Sequence, residues 1–165
     1  MSLRKEDTEL IKAAKAGDRD TCARLLQGNA SDRAYVNGRG GLNSTALIEA
    51  ATLGHIGIVE LLLDHGARLH AKEDAEGNCP ILAASRGGHV NVVELLISKG
   101  ANPNDKDKDG NSPIIVASIR GHLDIVDIVN KWPFSMAIIV LQELYCHLDA
   151  SSLIDLRQYI GVEYK

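Results

Sequence analysis

Apolar residues in this chain recur at helical spacing, in the same order three times. Ile58-Val59 with Leu61-Leu62-Leu63, Val92-Val93 with Leu95-Leu96-Ile97, and Ile125-Val126 with Ile128-Val129 each give one face to bury. A shorter helix is predicted before each of them, starting near Thr45, Pro80 or Pro113. Proline suits a first helical position, where its missing N–H would be unpaired anyway. These shorter helices carry small pairs, Ala50-Ala51, Ala84-Ser85 and Ala117-Ser118, which allow close helix packing, and glycine ends each one. The connections between units are polar and rich in Asp, Asn and Gly, as protruding turns are. Residues 8–29 fit the same plan less well. Leu10, Ile11, Ala13 and Ala14 form one stripe, Leu25 and Leu26 a second, and Gly28 ends it.

The landmarks keep register. Gly54-His55, Gly88-His89 and Gly121-His122 place their histidines 34 and 33 residues apart, and Gly66-Ala67 and Gly100-Ala101 lie 34 apart. Thr45, Cys79 and Ser112 mark the front of each unit, and Gly17-Asp18 stands where the first unit would have Gly-His. A period near 33 means a repeat array whose core is a row of small interfaces. The outer side of the first unit is polar (Lys5, Glu6, Glu9, Lys12), as suits a terminal repeat. Beyond Lys131 the landmarks stop, and five of the six aromatics follow: Trp132, Phe134, Tyr145, Tyr159 and Tyr164. Residues 132–165 are expected to form a helix pair covering the end of the stack.

These residues resemble ankyrin repeats. The family pattern, Asp-x-x-Gly-x-Thr-Pro-Leu-His, two small residues, Gly-His, an apolar helix and Gly-Ala, survives as Asp74, Gly77, Cys79-Pro80-Ile81 and as Asp107, Gly110, Ser112-Pro113-Ile114. The resemblance implies an all-α ankyrin-repeat solenoid of helix-turn-helix units with protruding hairpin loops, plus a C-terminal helical cap. It divides residues 1–131 into a degenerate repeat at about 8–39 and repeats at about 40–72, 73–106 and 107–131. One departure is consistent: the histidine of Thr-Pro-Leu-His is replaced by Ile48, Leu82 and Ile115. Packing is expected to replace the hydrogen bonds which that histidine gives the family's hairpins.

Composition narrows the function classes. The 165 residues are 45% hydrophobic and 24% charged, ordinary for a soluble protein. A net charge of −4 argues against nonspecific binding to a phosphate backbone. The longest apolar run, Met136 to Leu141, is far short of a membrane span. The charged stretch after Met1-Ser2-Leu3 is unlike a signal peptide. Cys22, Cys79 and Cys146 are odd in number and widely spaced, so free thiols and an intracellular, cytoplasmic setting are expected. The expected state is a monomer without cofactor.

Candidate chemistry is sparse. Packed helices lie about 8–10 Å apart, so His55, His89 and His122 cannot share one zinc ion, whose nitrogen ligands sit at about 2.0–2.1 Å. Their expected role is structural, at the turn between helices. Asp105, Asp107, Asp109 and Gly110 imitate the start of a calcium loop, but its twelfth position is Val116 instead of glutamate. No nucleophile elbow, zincin motif or paired-carboxylate site is present. What remains is a surface. By resemblance, partners meet the concave side, here Gly41, Leu42, Ser44, Thr52 and Leu53; then Ala75, Glu76, Asn78, Arg86 and Gly87; then Lys108, Asp109, Asn111, Ile119 and Arg120. Apolar residues beside arginine suit a protein hot spot. The expectation is a non-catalytic scaffold for a protein partner. Leu53, Arg86, Ile119 and Arg120 carry affinity, and Glu76, Lys108 and Asp109 tune partner choice. Two alternatives stand beside it: recognition by the C-terminal pair through Trp132, Phe134 or Tyr145, and a regulatory module of a larger enzyme or complex.

Overall fold

The computed structural model describes residues 5–28, 34–73 and 76–131. The chain divides into two units, Met1–Val129 and Asn130–Lys165, and nearly all the described residues belong to the first. The expected helix pair at 132–165, Cys146 and the aromatic residues beyond Lys131 lie outside the described residues, as do Asp74 and Ala75.

The described residues are helical, with no strand beyond an isolated bridge between Arg39 and Thr45. Helices α1 (Lys5–Ala16) and α2 (Arg19–Gln27) form the first repeat unit. A 3-10 turn at Gly41–Asn43 leads into α3 (Ala46–Thr52) and α4 (Ile56–Asp64). The third repeat unit is α5 (Pro80–Gly87) and α6 (Val90–Ser98). The fourth opens with α7 (Pro113–Arg120), and residues 123–131 are again helical and are labelled α8. Helices α1, α3, α5 and α7 pack side by side in one row, and α2, α4 and α6 form a second row behind them.

The repeated apolar pattern is the core of this double row. Leu62, Val59, Val92, Val93, Leu96 and Ile125 of the second helices are fully buried, as are Leu47, Ile81 and Leu82 of the first helices. Each such side chain stabilises the fold by roughly 1.5–3 kcal/mol. Ala14, Ala50, Ala51, Ala84 and Ala117 have no exposed surface, because the first helices meet there. The predicted proline starts at Pro80 and Pro113 are first-turn positions. Of the three unit-front residues, Thr45 caps with its side chain, its Oγ1 accepting from Ile48 N at 3.3 Å. Cys79 and Ser112 occupy the cap position without such a bond.

Gly17, Gly54, Gly88 and Gly121 end the four first helices with φ between 75 and 77°, a left-handed turn that a side chain disfavours. Each repeat's histidine then reaches back over the glycine of the unit before it. A Cβ placed on Gly88 lies 2.7 Å from His122 Cε1, and one on Gly17 lies 3.0 Å from His55 Cε1. His89 Nε2 donates to Thr52 O at 3.0 Å, and His122 Nε2 to Arg86 O at 3.3 Å. The histidines therefore tie successive units together. In the first unit Asp18 replaces histidine as a cap, its Oδ1 accepting from Thr21 N at 3.0 Å. That bond holds the Asp18 carboxyl below its ordinary range.

The hairpins close on backbone bonds: Gly40 N to Ser44 O at 2.8 Å, Glu73 N to Asn78 O at 3.0 Å, and Asp107 N to Asn111 O at 3.0 Å. Below them Ile48 and Leu82 fill the histidine-replacing column, fully buried. Ile115, at the same place in the fourth unit, remains 43% exposed. Gly77 and Gly110 take positive φ in their hairpins, and Asn43 does so in the second unit at 62°. Asparagine is among the few residues that tolerate this conformation, so the turn persists without glycine there.

Candidate protein-interaction face

The hairpins of the third and fourth units are joined by charge. Arg86, near the C-terminal end of α5, pairs with Glu76 of its own hairpin through Nη1. Its Nη2 lies 3.2 Å from Asp107 Oδ2 in the next hairpin. Asp107 is buried and accepts from every side. Its Oδ1 takes the N–H groups of Asn111 at 2.8 Å and Asp109 at 3.0 Å, and its Oδ2 takes Asn111 Nδ2 at 3.2 Å. Burial by itself pushes the Asp107 pKa up. The Asn111 and Asp109 hydrogen bonds and the Arg86 charge outweigh it, so the carboxyl stays below its ordinary range. Lys108 N adds a backbone bond to Glu76 O at 3.0 Å.

Asn78 belongs to the same network. It is buried, and its Nδ2 donates to Glu73 Oε1 at 2.8 Å and to Glu76 Oε2 at 3.2 Å. Glu73 thus holds the Asn78 side chain from within the third hairpin. Among the residues singled out from the sequence, Asn78 and Arg86 are consequently engaged within the chain. The Asn78 Nδ2 and the Arg86 guanidinium hold hairpins in place instead of standing free in solvent. Ser44 is buried too, Asn111 is half-buried, and Leu42 lies within the 3-10 turn.

The others lie on the surface. Thr52, Glu76, Lys108, Asp109 and Arg120 are exposed, as are Gly41 and Gly87. Leu53 is 44% exposed and Ile119 is 72% exposed. The structure brings Thr52 with Leu53, Arg86 with Gly87, and Ile119 with Arg120 to the same end of three neighbouring helices, α3, α5 and α7. Lys15, Arg86 and Arg120 all stand in the last turn of a first-row helix, where a cation is favoured by the negative end of the helix dipole.

A further set was not recognised in the sequence. Arg39 Nη1 donates to Lys72 O at 3.1 Å, and Lys72 Nζ donates to Lys106 O at 2.8 Å. Each hairpin's cation grips the backbone of the next. The signal was present as a basic residue recurring at 33 and 34 residues. Cys22 and Cys79 are buried free thiols. Burial, with the nearby Asp18 charge, pushes Cys22 up to about 11, and burial raises Cys79, so both stay protonated at neutral pH. Among the described residues no helix is long and apolar enough to cross a membrane.

Comparison with known families agrees with this architecture. A family model described as ankyrin repeats (3 copies) matches residues 2–73 and 70–131.

Proposed function

Because the chain belongs to the ankyrin-repeat family, whose repeats are generally protein-interaction modules, we propose that it holds a protein partner on its concave first-helix face without chemistry. The observation that carries this reading is the exposure of Leu53, Ile119 and Arg120 at one end of the first-helix row. Exposed apolar side chains beside a cation give a partner both buried area and an orienting charge. Glu76, Lys108 and Asp109, on the neighbouring hairpin tips, tune which partner is accepted. Arg86 contributes by fixing the Glu76 and Asp107 hairpins and offers little free charge of its own.

The test is affinity capture from a cell lysate with the intact chain and a Leu53→Ala/Ile119→Ala/Arg120→Ala variant. All three positions are exposed, so the variant is expected to keep its helical circular dichroism. A protein held by the intact chain and lost by the variant supports the reading. Equal retention by both moves the site elsewhere.

A further inference from the structure

Two charged positions recur from unit to unit with opposite sign. Glu60 of α4, Glu94 of α6 and Asp127 of α8 recur at 34 and 33 residues and are all exposed. In the first row the last turns carry Lys15, Arg86 and Arg120. Lys15 faces Glu49 at 3.7 Å and Arg86 is held by Glu76 and Asp107, whereas Arg120 forms no ion pair among the described residues. The cation left for a partner therefore stands beside Ile119, the most exposed large apolar side chain among the described residues. Leu53 lies two helices away along the same row.

Resting on the concave-face reading, we infer that the partner segment is an extended acidic peptide with two apolar anchors. One anchor sits on Leu53, the other on Ile119, and a carboxylate of the peptide meets Arg120. Two steps between packed helices span about 16–20 Å. An extended chain covers that distance in about five or six residues. A peptide of the opposite charge would meet Arg120 unfavourably here and would be drawn to the Glu60, Glu94 and Asp127 side instead.

A random peptide library displayed on phage and selected on the intact chain tests this. The expected winners are net negative, with two large apolar residues about five or six positions apart. Synthesised alone, such a peptide should bind an Arg120→Glu variant about tenfold or more weakly, and more weakly still at high salt. It should bind a Glu60→Gln/Glu94→Gln/Asp127→Asn variant as well as the intact chain. Selection of neutral or basic peptides that Leu53→Ala/Ile119→Ala abolishes overturns the acidic partner and leaves the concave-face reading standing. Peptides lost by the Glu60/Glu94/Asp127 variant and kept by Leu53→Ala/Ile119→Ala overturn both. A selection that yields no acidic peptide with the stated spacing also overturns the inference.

Discussion

The junction between the second and third units and the junction between the third and fourth share one fold but differ in chemistry. Both stack a histidine over the preceding glycine, and both run a hairpin cation to the next backbone carbonyl. At the later junction Arg86 also spans from Glu76 to the buried Asp107. At the earlier one Thr52 takes the place of Arg86, and its Oγ1 bonds only back to Ile48 O, at 2.7 Å, in its own helix. Packing sets the repeat, then, while polar side chains decide how firmly each neighbouring pair of hairpins is tied. The earlier junction carries the exposed Leu53, and Arg86 braces the hairpins of the later one.

The largest expected effect removes what both junctions share. Leu82 is fully buried in α5 between them, so Leu82→Ala should cost about 2–5 kcal/mol in urea unfolding. Ile115→Ala, in the same column but exposed, should stay within about 0.5 kcal/mol. A comparable loss at both positions would contradict the claim that packing sets the repeat.

Next comes Asp107→Ala, which strands the Asn111 and Asp109 N–H groups and should cost about 1–3 kcal/mol. Its charge also sets a pH window. The folded pKa lies below the ordinary 3.8, so this stability is complete above that value and is lost as pH falls through the folded value. Asp107→Asn should therefore flatten the acid limb of the stability curve below about pH 4. An unchanged acid limb would mean that Asp107 is not selectively stabilised in its charged form.

A double-mutant cycle between Arg86→Ala and Asp107→Ala should give a coupling of about 1 kcal/mol, since Arg86 is partly exposed and screened. Thr52→Ala should change stability by no more than about 0.5 kcal/mol. Equal effects at Arg86 and Thr52 would erase the distinction between the junctions. Lys72→Met, which gives up the bond to Lys106 O, should cost about 0.5–1.5 kcal/mol.

Most of the array was legible in the sequence, because its period repeats the same packing problem. The apolar columns at Ile58, Val92 and Ile125 and the glycines before the histidines mark positions at which one residue type solves it. Polar bonds were less legible. Arg86 looked free because its two carboxylate partners lie 10 and 21 residues away, and hairpin geometry alone joins them. Asn78 looked exposed because turns are usually wet, yet Glu73 and Glu76 enclose it. Asn43 hid a glycine position, since its left-handed backbone leaves no apolar trace. The exposed row of Leu53, Ile119 and Arg120 came from family resemblance, because periodicity cannot say which face a partner takes.

Amide hydrogen exchange on the intact chain, with and without the captured partner, tests the central claim most directly. A partner on the first-helix face should slow exchange at the ends of α3, α5 and α7 and in the hairpins around Glu76 and Lys108, with α4 and α6 unchanged. Slowed exchange confined to α4 and α6 would contradict that claim and place the partner on the Glu60 and Glu94 side.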